Sequence, residues 1–137
     1  MSEPLNLVLF SGTTDRLQAA AVLTAGAAAV GRRVNIFLQY WALAAFRADA
    51  LDADHGLAPE SGEVGRRRVA EAAAAGQAPW HETLRQAKAL GEVDIQACSL
   101  SMDVLKIEEN ELSDLVDGVE GVATFYLNAG DGHIVFI

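Results

Sequence analysis

Short apolar, often β-branched runs alternate with longer helical stretches along this chain, and that alternation restricts the fold more than any other feature. "LNLVLF" (5–10) is followed by the turn "SGTTD" and an alanine-rich segment from Leu17 to Val30, and "VNIFLQY" (34–40) by "WALAAF" (41–46). "EVDIQAC" (92–98) leads into "SLSMDVLKI", and "VATFYLNAG" precedes "HIVFI" at 133–137. Runs this apolar suit strands buried on both faces. Strand–helix repeats imply a parallel sheet covered on both sides, and right-handed crossovers make it an open doubly wound α/β domain. Counting "DGVEG" as a very short strand gives about five mainly parallel strands, in a single domain of the usual size of roughly 100–200 residues.

Local punctuation sets the expected helix ends. Asp15 suits the N-cap of the first helix and Gly31 its C-cap; Ser101 suits the N-cap of the helix after the third strand. Pro79 can open and Gly91 can close "WHETLRQAKAL". The segment "DALDADHGLAPESGEVGRRRVAEAAAAGQAP" from Asp49 is polar and broken by Gly and Pro. It reads as a mobile excursion over about 49–78 with a short helix near Val69–Ala75.

Composition removes several classes of function. Ten basic against nineteen acidic residues, a net charge of −9, argue against duplex nucleic acid as the main partner, because neutralising phosphates needs a basic surface. One cysteine cannot form an internal disulfide, which suits a reducing cytoplasm. "MSEPLN" lacks the basic region of a secretory leader, and the alanine-rich stretch falls short of the roughly 20 residues that cross a bilayer. No membrane association is therefore expected. No "GxGxxG", phosphate-loop or "GxSxG" motif occurs. His55, His81 and His133 have no metal-ligand spacing, so neither a metal nor an organic cofactor is expected.

Sheets of this type bind ligands beyond the carboxyl ends of their strands. Three segments reach that edge: "SGTTD", "QYW" and "CSLS". The first could wall a pocket through Gly12 and Thr13, the second through Tyr40 and Trp41. In the third, Cys98 is followed at once by a helix start, whose unpaired N–H groups and dipole favour an anionic sulfur, with Ser99 and Ser101 as possible donors. Thiolate is the nucleophilic form. Free cysteine is also among the most buried residue types, so Cys98 could equally be packing at a strand end; position does not separate the two. His55 reads as an exposed loop histidine able to swing over the cleft. "GRRRVA" (65–70) reads as a solvated helix end, and "KIEENELSD" as a solvated face able to dock a basic carrier.

The stretches "LNLVLFSGTTDRLQAAAVLTAGAAAVGRRVNIFLQYWAL", "VDIQACSLSMDVLKI" and "GVATFYLNAG" resemble the DsrE/DsrF-like superfamily, in particular its small stand-alone branch sometimes labelled "predicted peroxiredoxin". "ACSLSMD" after a third strand is the most specific element. The resemblance implies a five-stranded parallel sheet, homo-oligomers (trimers or hexamers), and a sulfur-relay role in the cytoplasm. In that role Cys98 accepts sulfane sulfur as a persulfide and passes it to a partner thiol, with TusA-like or rhodanese-like proteins as donors and acceptors. There is no second cysteine, so release needs an external thiol, and the Thr-x-x-Cys of a peroxiredoxin is missing. The alternative is a non-catalytic oligomeric binding or assembly module in which Cys98 is structural.

Overall fold

The computed structural model describes residues 3–137. Five strands, β1 (Leu5–Leu9), β2 (Val34–Leu38), β3 (Val93–Cys98), β4 (Gly118–Glu120) and β5 (Ile134–Phe136), form one sheet in the order β4-β3-β2-β1-β5. Every pairing is parallel. The helices are α1 (Thr14–Ala29), α2 (Tyr40–Ala45), α3 (Gly62–Ala74), α4 (Trp80–Leu90), α5 (Ser99–Leu105) and α6 (Val122–Ala129). The expected wound α/β sheet of five parallel strands is therefore present. The order steps outward from β1 to β4 and then returns to the far side of β1 for β5, so the switch in direction lies between β1 and β5.

Alternation along each strand sends side chains to opposite faces. Leu7, Leu9, Ile36, Leu38, Ile95 and Ala97 project to one side, into a core shared with Leu17 and Ala20 of α1, Leu43 of α2, and Trp80 and Leu84 of α4. Full burial of each large aliphatic side chain there stabilises the fold by about 1.5–3 kcal/mol. Alanines on α1 let that helix lie close along α4. The opposite face carries a second, smaller cluster of Val8, Phe37, Cys98 and Phe125 of α6.

Beside that cluster the second face is polar. Buried Asn35 donates through Nδ2 to Asn6 Oδ1 (2.9 Å) and to the Asn128 carbonyl (3.2 Å). Asn6 Nδ2 in turn faces the carbonyls of Ala129 (3.3 Å) and His133 (3.2 Å). These paired amides fasten the end of α6 and the approach to β5 onto the sheet, at a place where unpaired buried amides would be costly.

Several expected helix ends move. Asp15 lies inside the first turn of α1, whose N-cap is Thr13. α3 starts at Gly62 rather than near Val69 and buries none of its residues. Its Arg66, Arg67 and Arg68 are exposed, as expected of a solvated helix. The segment "KIEENELSD" is less free than expected: Ile107 and Ser113 are buried, Glu111 pairs with Arg47 (3.2 Å) and Asp114 with Arg85 (2.9 Å).

Candidate functional site at the carboxyl edge

The first three strands end at one edge, and their next residues build it. After β1 the chain turns through Ser11 and Gly12 so tightly against α2 that a Cβ at Gly12 would lie 2.4 Å from the Trp41 carbonyl oxygen. Only glycine allows that approach. After β2, Tyr40 opens α2 with φ of 42°, in the left-handed region that costs an aromatic residue about 1–3 kcal/mol. Its amide donates to Ser101 Oγ (3.1 Å). Phe10, Tyr40 and Trp41 form an aromatic row, with centroids 5.5 Å (Phe10–Tyr40) and 5.9 Å (Tyr40–Trp41) apart.

Cys98 ends β3 and is itself the N-cap of α5. Its side chain is 4% exposed, against Val8, Phe37 and Phe125. Phe125 stacks on Phe37 with centroids 4.9 Å apart. Ser99 next to it is exposed. Ser101 is fully buried, lies within α5 rather than at its N-cap, and spends its oxygen on the Tyr40 amide, so it joins α5 to α2. This corrects the expectation for Ser101 as a cap.

Gly12, Thr13 and Trp41 come together, but not on Cys98. With Ser11 and His55 they line a cleft of about 510 Å³ that Cys98 does not line. His55 is half-buried rather than an exposed loop histidine, its Nε2 has no hydrogen-bond partner, and its ring meets Trp80 edge-on at 6.2 Å. The excursion runs as a strap across the start of α1. Thr14 N–H donates to the Gly56 carbonyl (2.9 Å), and Ala58 N–H donates to both oxygens of the Asp15 carboxylate (3.1 Å each). Burial pulls the Asp15 carboxyl upward, but hydrogen bonds from the Thr13 hydroxyl and from the Ala58 and Arg16 amides outweigh it. The group is held below its ordinary value.

Sequence reasoning missed Glu120. In "DGVEG" it looks like part of a poor strand, yet the β3–β4 register pairs Cys98 with Glu120. Val119 packs into the first-face core, so Glu120 shares the second face with Cys98. Burial pushes its carboxyl up, and the Asp94 carboxylate on the same face adds to the shift. The alternation of Val119 and Glu120 was the available signal, but the pairing partner was not readable locally. Among the described residues, no group of three or more His, Cys, Asp or Glu is placed to hold a metal ion. No helix there is long and apolar enough to cross a membrane.

The sequence model of the DsrE/DsrF/DrsH-like family matches residues 58–137, which include β3 with Cys98 and α6 with Phe125. The chain belongs to that family. Among its relatives is the uncharacterized protein YrkE of Bacillus subtilis (strain 168), 28% identical over 150 residues that span 93% of this chain and 92% of YrkE. The fold of this DsrE-like protein is also similar to that of MTH1491, a protein of unknown function from Methanobacterium thermoautotrophicum. The TM-score is 0.63 with 13% identity, covering 99% of this chain and all of MTH1491.

Proposed function

We propose that this DsrE-like protein is a sulfur carrier of the relay type, acting in the cytoplasm, whose Cys98 takes up sulfane sulfur as a persulfide and passes it to a thiol on a partner protein. The observation that carries the reading is the position of Cys98 as the last residue of β3 and the first of the turn into α5. That is the sheet edge where wound α/β folds bind ligands, and it lies inside the stretch that matches the family. A thiolate there attacks a donor's outer sulfur. The single cysteine makes an intramolecular resolving step impossible, so the acceptor thiol is external, on a TusA-like or rhodanese-like partner. The sulfur is buried among Val8, Phe37 and Phe125, so loading requires this cluster to open or the donor to be small.

A second reading is favoured by that same burial: an oligomeric binding or assembly module in which Cys98 only packs. Intact-mass measurement after polysulfide treatment separates the two. The carrier gains about 32 Da per sulfur atom and Cys98→Ser gains none. Unchanged mass of the native wild type, with a thiol that resists alkylation, would leave only the module.

A further inference from the structure

α3 leaves its apolar side chains facing a space that the chain does not fill. None of its residues is buried, yet Val69 and Ala73, one turn apart and so on one face of the helix, line a cleft between it and the rest of the molecule. Helices in small domains are held mainly by the apolar face that they pack away. Here that face meets a cavity of about 490 Å³, within the size range of small-molecule sites.

Four elements enclose the cavity: α3, the strap, and the starts of α1 and α4. Leu51 and Ala53 of the strap, Pro79 and Trp80 at the head of α4, and Val69 and Ala73 of α3 make its apolar walls. Asp15 and Gln18 of α1, Asp52 of the strap and His81 of α4 add polar groups. Asp52 Oδ1 lies 3.0 Å from His81 Nε2, and the His81 side chain is only 14% exposed. A largely buried ring therefore holds the Asp52 carboxylate, itself open to solvent, at the cleft.

The lining sets the charge of an occupant. Two carboxylates line the cavity and, among the described residues, no lysine or arginine does. Helix starts ordinarily favour anions, but the start of α1 is already taken. Its Thr14 N–H donates to the Gly56 carbonyl (2.9 Å), and its Arg16 N–H to Asp15 Oδ1 (3.0 Å). α4 carries Glu82 in its own first turn. An anion would be repelled by both aspartates, whereas an ammonium group would be attracted to them.

We propose that this cleft binds a small organic cation, an amine carrying an apolar body, with the body against Trp80, Val69 and Ala73 and the charge toward Asp15 and Asp52. The bound molecule gives α3 the packing it lacks and holds the helix against the domain. Cys98 does not line the cleft, and the site does not depend on the sulfur-relay reading.

The test is titration with three probes of similar shape, tryptamine, the neutral alcohol tryptophol and the anion indole-3-propionate, followed by amide and indole NMR at pH 7. Tryptamine is expected to bind with a Kd of about 1 mM or lower, shifting the Val69 and Ala73 amides and the Trp80 indole. It should bind about fivefold or more tighter than tryptophol, and hydrogen exchange of the α3 amides should slow in its presence. Ala73→Phe puts a ring in the cleft; because Ala73 is exposed, the fold should persist by circular dichroism while tryptamine binding falls about tenfold or more. Asp52→Asn should narrow the tryptamine-to-tryptophol ratio about twofold or more. No shift at those three residues up to about 10 mM tryptamine overturns the site, as does an Ala73→Phe variant that binds as well as wild type. Equal affinity for all three probes, or a preference for the propionate, overturns the assignment to a cation. A ratio unmoved by Asp52→Asn removes Asp52 from the site.

Discussion

Three residues decide whether the carboxyl edge can work. Gly12 is fixed by the Trp41 carbonyl, which a Cβ would overlap at 2.4 Å. Gly12→Ala must push backbone rather than a flexible side chain, and backbone shifts of this kind cost about 1–3 kcal/mol or more. The expected result is a lowered denaturant midpoint, measured by urea unfolding. Phe125 belongs to the cluster that buries the sulfur. Phe125→Ala removes the ring that stacks on Phe37, with an expected stability loss of about 3–5 kcal/mol. In the fraction that stays folded, Cys98 should alkylate at least about tenfold faster than in wild type, a rate change that corresponds to roughly 1.4 kcal/mol of easier opening. Equal rates would show that the thiol reaches solvent by another route. Ser101 is the third: its oxygen is taken by the Tyr40 amide, so it supports the sulfur's surroundings through α2 and does not touch the sulfur.

At the scale of elements, the excursion is held by α1. Asp15 accepts the Ala58 amide, and Gly56 accepts the Thr14 amide. The Asp15 carboxyl is lower in the folded state than in the unfolded chain, where an aspartate titrates near 3.9. Its stabilisation is therefore fully present above that unfolded value and is lost as pH falls through the folded one. Asp15→Asn should flatten the acid limb of the stability curve below about pH 4 and speed hydrogen exchange at the Ala58 amide. An unchanged acid limb would mean that the strap is held by something else. α3, which hangs from the strap, buries none of its residues. Its expected start near Val69 lay too far along the chain because "GEVG" carries two glycines and little apolar periodicity; the 3-10 turn at Pro59–Ser61 leads directly into the helix and starts it early.

The whole molecule leaves one face unfinished. α6 and β5 expose Val122, Tyr126, Leu127 (82%), Ile134 and Phe136 (65%), more apolar surface than scattered single residues would account for. We propose that a homo-oligomer covers this face. Leu127→Glu should then yield protomers by sedimentation at concentrations where wild type associates. Because Leu127 buries little within its own chain, the protomer's stability should shift by no more than about 0.5 kcal/mol. A wild type that sediments as a single chain at all concentrations would remove the oligomer from the proposal.

The chain by itself determined its strands, their parallel arrangement and the place of Cys98 at a strand end, because hydrophobic periodicity and turn residues act over a few neighbouring positions. The same local signals misplaced the Asp15 and Ser101 caps, since both side chains bond to segments distant in sequence, the Ala58 and Tyr40 amides. Only the tertiary structure decided that Cys98 pairs in register with Glu120 and is buried with Phe125, and that Gly12, Thr13 and Trp41 wall a different cleft. Strand order and register arise from packing between remote segments, and no short stretch of sequence records which remote partner a residue will meet.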